Sequence, residues 1–497
     1  MSIVVICALL FAFVVYITIG LSLARGTKGI ADMLPLGFDR QARVKNSAEF
    51  SASTVATTIS LATVVIAFFE LAQSLGLWLF WTVITTAAGL LVVRLFAARI
   101  WHRLCAYDHR PTLHEFLGRE YDSRVLSYVG AVCTSLGFLG AFAVELTVGS
   151  RLFAALVPDV PSWIVVVVLS LVAFTYTAIG GFRAVIVTDR VQMLSIWLLL
   201  LALPVFYIVY VTAHGGWAAG YAKIPDGIIH IGCPPTLMTF IIGIFIINVM
   251  TYISDMSIWQ RIAGARQTKT VTEGLWSSVL LSAATWSMLV ILACFVFMII
   301  TPQKGLNPLF VLLQTIDRTP GVLSVVVLFF VCLGLYGAML STASTQLIAV
   351  SHTLYEDVFC RLRKHPLAER LLMTRELGVS RAILVIAAVF STILVHLLSR
   401  QFSIAEMVFA IYGAQVGLCP LVVAALLLPR EKLKGISAWA AVAVSGGFIA
   451  GWEAALLGGY TENTNLVFLA PVFSLAVSSL FLAIGMLLRT TEAKYQQ

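Results

Sequence analysis

The chain has 497 residues, 60% of them hydrophobic and 11% charged, with a formal net charge of +8 and a mean hydropathy of +0.98. One water-facing surface could not cover so much apolar material, so the composition excludes a soluble globular domain and implies a polytopic membrane protein. The positive excess is distributed as an orientation signal, with no patch suited to nucleic acid.

A helix needs about 20 apolar residues to cross ~30 Å of hydrocarbon. Thirteen such runs occur, over 2–24, 48–74, 76–104, 124–156, 160–179, 184–213, 235–264, 272–300, 321–356, 380–399, 404–428, 436–458 and 465–488. They are numbered here as spans 0 to 12. Stretches such as "WIVVVVLSLVAF" lack the alternation of a transmembrane strand. Span 0 lacks both the basic start and the cleavage site of a signal peptide, so it reads as a membrane helix.

Lys and Arg collect in alternate loops. One set runs from Arg25, Lys28, Arg40, Arg43 and Lys45, through Arg183 and then Arg261, Arg266 and Lys269, to Arg489 and Lys494. Opposite loops hold only Lys223, Lys304, Arg318 and Arg400. The bias puts the N-terminus outside and the C-terminus in the cytoplasm, as in an integral plasma-membrane protein, most simply of a bacterial inner membrane. The eight cysteines are scattered without a C-x-x-C and read as apolar fillers. With no Walker A, H-E-x-x-H or G-x-S-x-G motif, ATP-driven pumping and intramembrane hydrolysis lose support, and no enzyme is expected.

In chain order, polar residues interrupt particular spans. "STVATTISLAT" puts Ser53, Thr54, Thr57, Thr58, Ser60 and Thr63 at mid-membrane depth in span 1, and "INVMTYISDM" puts Asn248, Thr251, Ser254 and Asp255 in span 6. With span 0 set aside, these open two consecutive five-helix sets, 48–213 and 235–428, followed by extra helices over 436–488. Odd-numbered sets must face opposite ways, and matched polar interruptions in inverted halves point to a transporter with its site at the midplane. Hydroxyls that back-bond to carbonyls or glue helices together offer a plainer account of either span alone.

Glu49 and Glu70 fall near the ends of span 1, where interface exposure would explain them; Arg94 and Arg151 can snorkel. Glu145 lies deeper and invites a basic partner or a cationic solute. Gly180 and Gly181 mark a tight cytoplasmic turn, after which Asp189 enters span 5 as either an ion ligand or a carboxylate neutralised by Arg183 or Arg190. Span 8 carries "GAMLSTASTQL", whose Ser341, Thr342, Ser344 and Thr345 occupy two adjoining helical faces. Neutral oxygens so placed suit Na⁺, and two faces could serve two ions.

"YTAIGGFRAVIVTDRVQM", "DMSIWQRIAGAR", "PTLHEFLGREYDSR" and "STASTQLIAVSHTLYEDVF" occur in the order in which the sodium:solute symporter family has similar motifs. The resemblance covers nearly the whole chain. It implies an all-α LeuT-like fold of two inverted five-helix repeats plus extra helices. It also implies Na⁺ as coupling ion, at one or two sites. The shared site would use carbonyls of Ala56, Ile59 and Ala338 with the hydroxyls of Ser341 and Thr342; a second would use Asp189, Ser341, Ser344 and Thr345. Solute residues transfer poorly. Sugar-carrying members use a Gln and a Glu where this chain has Thr63 and about Val83, and proline-carrying members use an Asp where it has Thr58. Asn248 matches a solute-contacting position; Thr251, Tyr252 and Asp255 within two turns of it, and Thr58 and Thr63 at the family's solute positions in span 1, are the further solute candidates.

These readings converge on sodium-driven uptake of a small organic solute by alternating access. Two alternatives stay open: proton coupling through Asp189 or Glu145, and a solute sensor on the same fold, although the chain stops soon after span 12 at "RTTEAKYQQ" without room for an output domain. Solute identity and oligomeric state are left open.

Overall fold

A computed structural model of the chain describes residues 2–24, 30–35, 43–107, 109–229, 232–302, 306–360, 366–398 and 404–495. Among these, the architecture is helical throughout, with a single isolated bridge between Val44 and Ala265 and no strand. The long helices are α1 (Ser2–Ala24), α2 (Ser47–Thr58), α3 (Ala67–Leu75), α4 (Phe80–Cys105), the short α5 (Leu113–Glu120), α6 (Arg124–Leu156) and α7 (Ser162–Ala213). They continue with α8 (Leu237–Ser254), α9 (Met256–Gly264), α10 (Thr268–Phe295), α11 (Pro308–Arg318), α12 (Val322–Thr353), α13 (Pro366–Leu398), α14 (Ile404–Gln415), α15 (Cys419–Leu427), α16 (Ser437–Tyr460) and α17 (Thr464–Tyr495).

Eleven described stretches are long and apolar enough to cross a membrane, and two of these, Leu61–Cys105 and Ser162–Ala213, are long enough for two crossings. Straight, the 52 residues of α7 would extend ~78 Å, far beyond the hydrocarbon core. The helix instead kinks at Gly181, at φ 62° and ψ −160°, where a Cβ would meet the Met33 backbone at 2.7 Å. Only glycine suits that conformation and that contact, so the Gly-Gly turn expected from sequence is present. The other long stretch, Leu61–Cys105, is interrupted at Gly76, also at positive φ.

Spans 1 and 6 are both broken. α2 stops at Thr58, Ile59 and Ser60 leave helical geometry, and a π-turn over Leu61–Ile66 leads into α3. α8 stops at Ser254, and extended Asp255 starts α9. The first broken helix packs against α7, α10 and α12. Gly334 and Gly337 let α12 approach α7 at Ser195 and Leu199, the close small-residue packing expected where lipid supplies no hydrophobic drive. Large apolar side chains such as Leu95, Leu194, Ile386 and Leu487 point outward, as a lipid-facing surface requires.

Candidate functional site

The breaks face a common cavity of about 940 Å³, counted to its open mouth. Its wall includes all six residues singled out for the solute: Thr58, Thr63, Asn248, Thr251, Tyr252 and Asp255. Asn248 is also tied to α4, its amide donating to Thr85 Oγ1 at 3.0 Å. Asp255 Oδ1 accepts from the backbone N–H groups of Ser257 and Ile258, at 2.7 and 3.2 Å, and so caps α9. Three further wall residues, Thr54, Gln346 and Trp286, hold buried polar atoms without a partner, as does Thr251. Such atoms are costly unless a polar ligand satisfies them. Sequence reasoning had no solute role for Thr54, Trp286, Gln346 or Tyr412; Thr54 and Gln346 adjoin the hydroxyl runs, whereas Trp286 and Tyr412 carry no local signal.

Beside the cavity, α12 and the end of α2 bring oxygens together. Ser341 Oγ lies 2.8 Å from Ala56 O and 3.0 Å from Ala338 O; Thr342 Oγ1 lies 3.2 Å from Ala338 O and 3.4 Å from Thr57 O. Ile59 occupies the break itself, where the helix end leaves carbonyls without intrahelical donors. The donor set is neutral, hard and drawn from both helices, which is the chemistry Na⁺ requires.

The residues of the second expected ion site are arranged differently. Asp189 is fully buried, and Ser53 Oγ donates to its Oδ2 at 2.5 Å. Arg261 donates to the same Oδ2 at 3.3 Å, to Thr345 Oγ1 at 3.0 Å, to Ser53 Oγ at 2.9 Å and to Ser257 O at 3.0 Å. Ser344 bonds within its helix, to Ser341 O. A guanidinium therefore lies between Asp189 and Thr345, where the second cation was expected. Arg261 is not a loop residue serving the positive-inside bias: it is 1% exposed, inside α9.

The expected neutralisation of Asp189 by Arg183 or Arg190 is corrected as well. Arg183 donates to both oxygens of Glu49, at 2.6 and 2.9 Å, and Arg190 reaches Glu49 at 3.5 Å. Glu49 is accordingly 3% exposed and paired, not at an interface. Gln192, for which sequence suggested no role, is buried and donates to Tyr176 Oη at 3.4 Å, and that hydroxyl in turn bonds Leu340 O. Arg94 does reach outward, over the Trp276 ring.

Glu145 projects from α6 to the first break. Its Oε1 accepts from Ser60 Oγ, while its Oε2 is buried without a hydrogen-bond partner among the described residues. It does not line the cavity wall; it holds the hydroxyl that caps the restarted helix. The same break is closed locally by Ser60 Oγ, which accepts from Thr63 N at 2.9 Å.

Two of the loop and helix motifs meet on one side. Thr112 Oγ1 donates to both Asp357 oxygens, at 2.9 and 2.8 Å, and His114 Nδ1 lies 3.3 Å from Asp357 Oδ2. "PTLHEFLGREYDSR" is thus docked on "YEDVF". In the same loop, His109 contacts Glu115 at 2.8 Å. The bond from Glu115 holds His109 above its ordinary titration range; burial opposes ionisation of Glu115, but His109 and Arg119 together hold that carboxyl below its own.

Two helix breaks around a polar cavity, with an oxygen cluster shared by the first broken helix and α12, are the arrangement of a secondary transporter of LeuT-like fold. Residues 45–442 match the sodium:solute symporter family, and the chain belongs to that family. Over 105 residues it is 31% identical to the sodium/pantothenate symporter of Escherichia coli (strain K12), a match spanning 21% of each chain. Among solved structures, a substrate-bound, outward-open Na⁺-coupled sialic acid symporter superposes with a TM-score of 0.75 at 19% identity, over 98% of this chain and 97% of the other. A nucleobase-cation-symport-1 family transporter in a closed conformation gives a TM-score of 0.53 at 14% identity, over 92% and 95% of the two chains. The manganese transporter of Eremococcus coleocola gives 0.52 at 16% identity, over 90% and 94%. At these identities the likeness bears on the fold alone.

Proposed function

We propose that the chain imports a small organic solute together with one Na⁺ per cycle by alternating access, within thirteen crossings that leave the N-terminus outside and the C-terminus in the cytoplasm of a bacterial inner membrane. The observation that carries this reading is the convergence of Ala56 O, Ala338 O, Ser341 Oγ and Thr342 Oγ1 beside the cavity between the two breaks. Na⁺ bound there, with Ile59 completing the set, fastens α2 to α12. The solute contacts Asn248, Thr251, Tyr252 and Asp255 next to it, with Thr58 and Thr63 across the cavity. Both ligands then favour one conformer, and that shared preference is the coupling.

The single-ion stoichiometry follows from Arg261, whose fixed positive charge serves Asp189 and Thr345 in place of a second ion. Binding of radioactive Na⁺ to the purified chain tests the reading. The expected result is saturation at one ion per chain, with affinity weakened roughly tenfold or more in Thr342→Ala, the effect of ~1.4 kcal/mol from one lost oxygen contact. No saturable Na⁺ binding, or binding indifferent to Thr342→Ala, would overturn it.

A further inference from the structure

The cavity's chemistry is lopsided. Among the described residues that line it, Asp255 is the only one with a formal charge, and no Lys, Arg or His is present. The hydroxyls of Thr57, Thr58 and Thr342 are already donated to backbone carbonyls, at 2.9, 2.8 and 3.2 Å, so what they offer a solute is lone pairs. Gln346 contributes a buried carbonyl oxygen without a partner. The buried unpartnered donors, Thr54 Oγ1, Thr251 Oγ1 and Trp286 Nε1, are all neutral.

The positive ends of the two restarted helices would ordinarily be the place for a solute carboxylate in such a cavity. Here each already has a cap from the chain, with a carboxylate in or behind it. Asp255 caps α9; Ser60 caps the π-turn that leads into α3 and is itself bonded to the buried Glu145. The nearest guanidinium, Arg261, is committed to Asp189, Ser53, Ser257 and Thr345. A solute anion entering this cavity would be desolvated against acceptors and a like charge. A cation would meet a carboxylate, lone pairs and the faces of Tyr252, Tyr412, Trp286 and Phe68, a combination that favours ammonium groups.

Resting on the symport reading above, we infer that the transported solute is an organic cation that carries an ammonium-type nitrogen and no free carboxylate, and that this nitrogen is held by Asp255. With Na⁺, each cycle then moves two positive charges inward, both driven by the membrane potential.

The test is thermal stabilisation of the purified full chain, with Na⁺ and with K⁺ in its place. The probes form two series, each on one skeleton. One is choline, its uncharged carbon isostere 3,3-dimethylbutanol, and betaine; the other is tyramine, tyrosine and 4-hydroxyphenylpropionate. Pantothenate and N-acetylneuraminate are added as carboxylate controls. The expected result is Na⁺-dependent stabilisation by a cation of at least one series, with its neutral and carboxylate counterparts at least about tenfold weaker, the worth of a charge-assisted bond. In Asp255→Asn the advantage of the cation should disappear while stabilisation by Na⁺ alone remains, because Asn also caps helices well. Stabilisation by carboxylates in preference to cations, by no cation in either series, or by cations equally well in Asp255→Asn would overturn the inference. Failure of Na⁺ itself to stabilise the chain would instead sink the sodium reading, which keeps the two failures apart.

Discussion

The two helix breaks look alike in outline and are built by different means. At the second, Asp255 folds back on its own chain to cap residues two and three positions later. At the first, the cap is Ser60, which accepts from Thr63 N and whose hydroxyl is held by Glu145, 85 positions away on α6. A local cap forms with the helix it caps, whereas a cap with borrowed support is completed only when two helices dock. The first break therefore depends on tertiary packing, which suits the helix whose end also supplies the sodium oxygens. Arg261 links the two regions: it follows the second break, yet it bonds Ser53 of α2 just before the first.

The largest expected effect comes from cutting that link. Arg261→Ala strands Asp189 as a buried carboxylate with only Ser53 for company, and removing one partner of a buried pair costs about 3–5 kcal/mol. Thermal unfolding should show a large loss, and high Na⁺ should restore more stability in the variant than in the parent, because an ion can then take the guanidinium's place. Equal stabilisation of variant and parent by Na⁺ would mean that Arg261 does not occupy a cation position.

Next in size is Glu145→Ala, which leaves Ser60 Oγ without its buried acceptor, at about 1–3 kcal/mol. Because Ile59 belongs to the same break, Na⁺ affinity should fall together with stability. Asp255→Ala, by contrast, removes a cap worth ~1 kcal/mol and lies beyond α2, so Na⁺ affinity should change little. If both substitutions weaken Na⁺ binding equally, the distinction between borrowed and local caps fails.

Much of this layout could be read before any coordinates. Hydroxyl runs in otherwise apolar spans located both breaks, and the Gly-Gly pair located the kink at Gly181, because backbone conformation leaves local traces. All six solute candidates came to one cavity. The misreadings share another cause. Arg261 near the end of an apolar run resembles a cytoplasmic anchor, and Glu49 near the start of one resembles an interfacial charge. Their partners lie 72 and 134 positions away, so nothing in the local pattern marks them as buried. Asp189 was noticed for its chemistry, but the identity of its cation depended on α9 carrying Arg261 to within 3.3 Å of it.

The smallest effect concerns what seats α6, on which the borrowed cap relies. The loop entering α5 carries the His109–Glu115 contact, and α5 packs against α6. His109 has its pKa raised above 6.5 by Glu115, so its contribution is fully present below that ordinary value and is lost as pH rises through the folded one. Glu115 has its pKa lowered, so its own contribution is lost only as pH falls through that depressed value, and the pair is intact between the two. Stability should therefore decline modestly as pH rises past the His109 titration, and His109→Gln should flatten that decline while also shrinking the acid limb, because Glu115 then keeps only Arg119 to hold its carboxyl down. Melting temperature measured against pH for the parent and this variant checks the sign. An unchanged slope in His109→Gln would assign the decline to other groups and leave the seating of α6 to Asp357 and its contacts with Thr112 and His114.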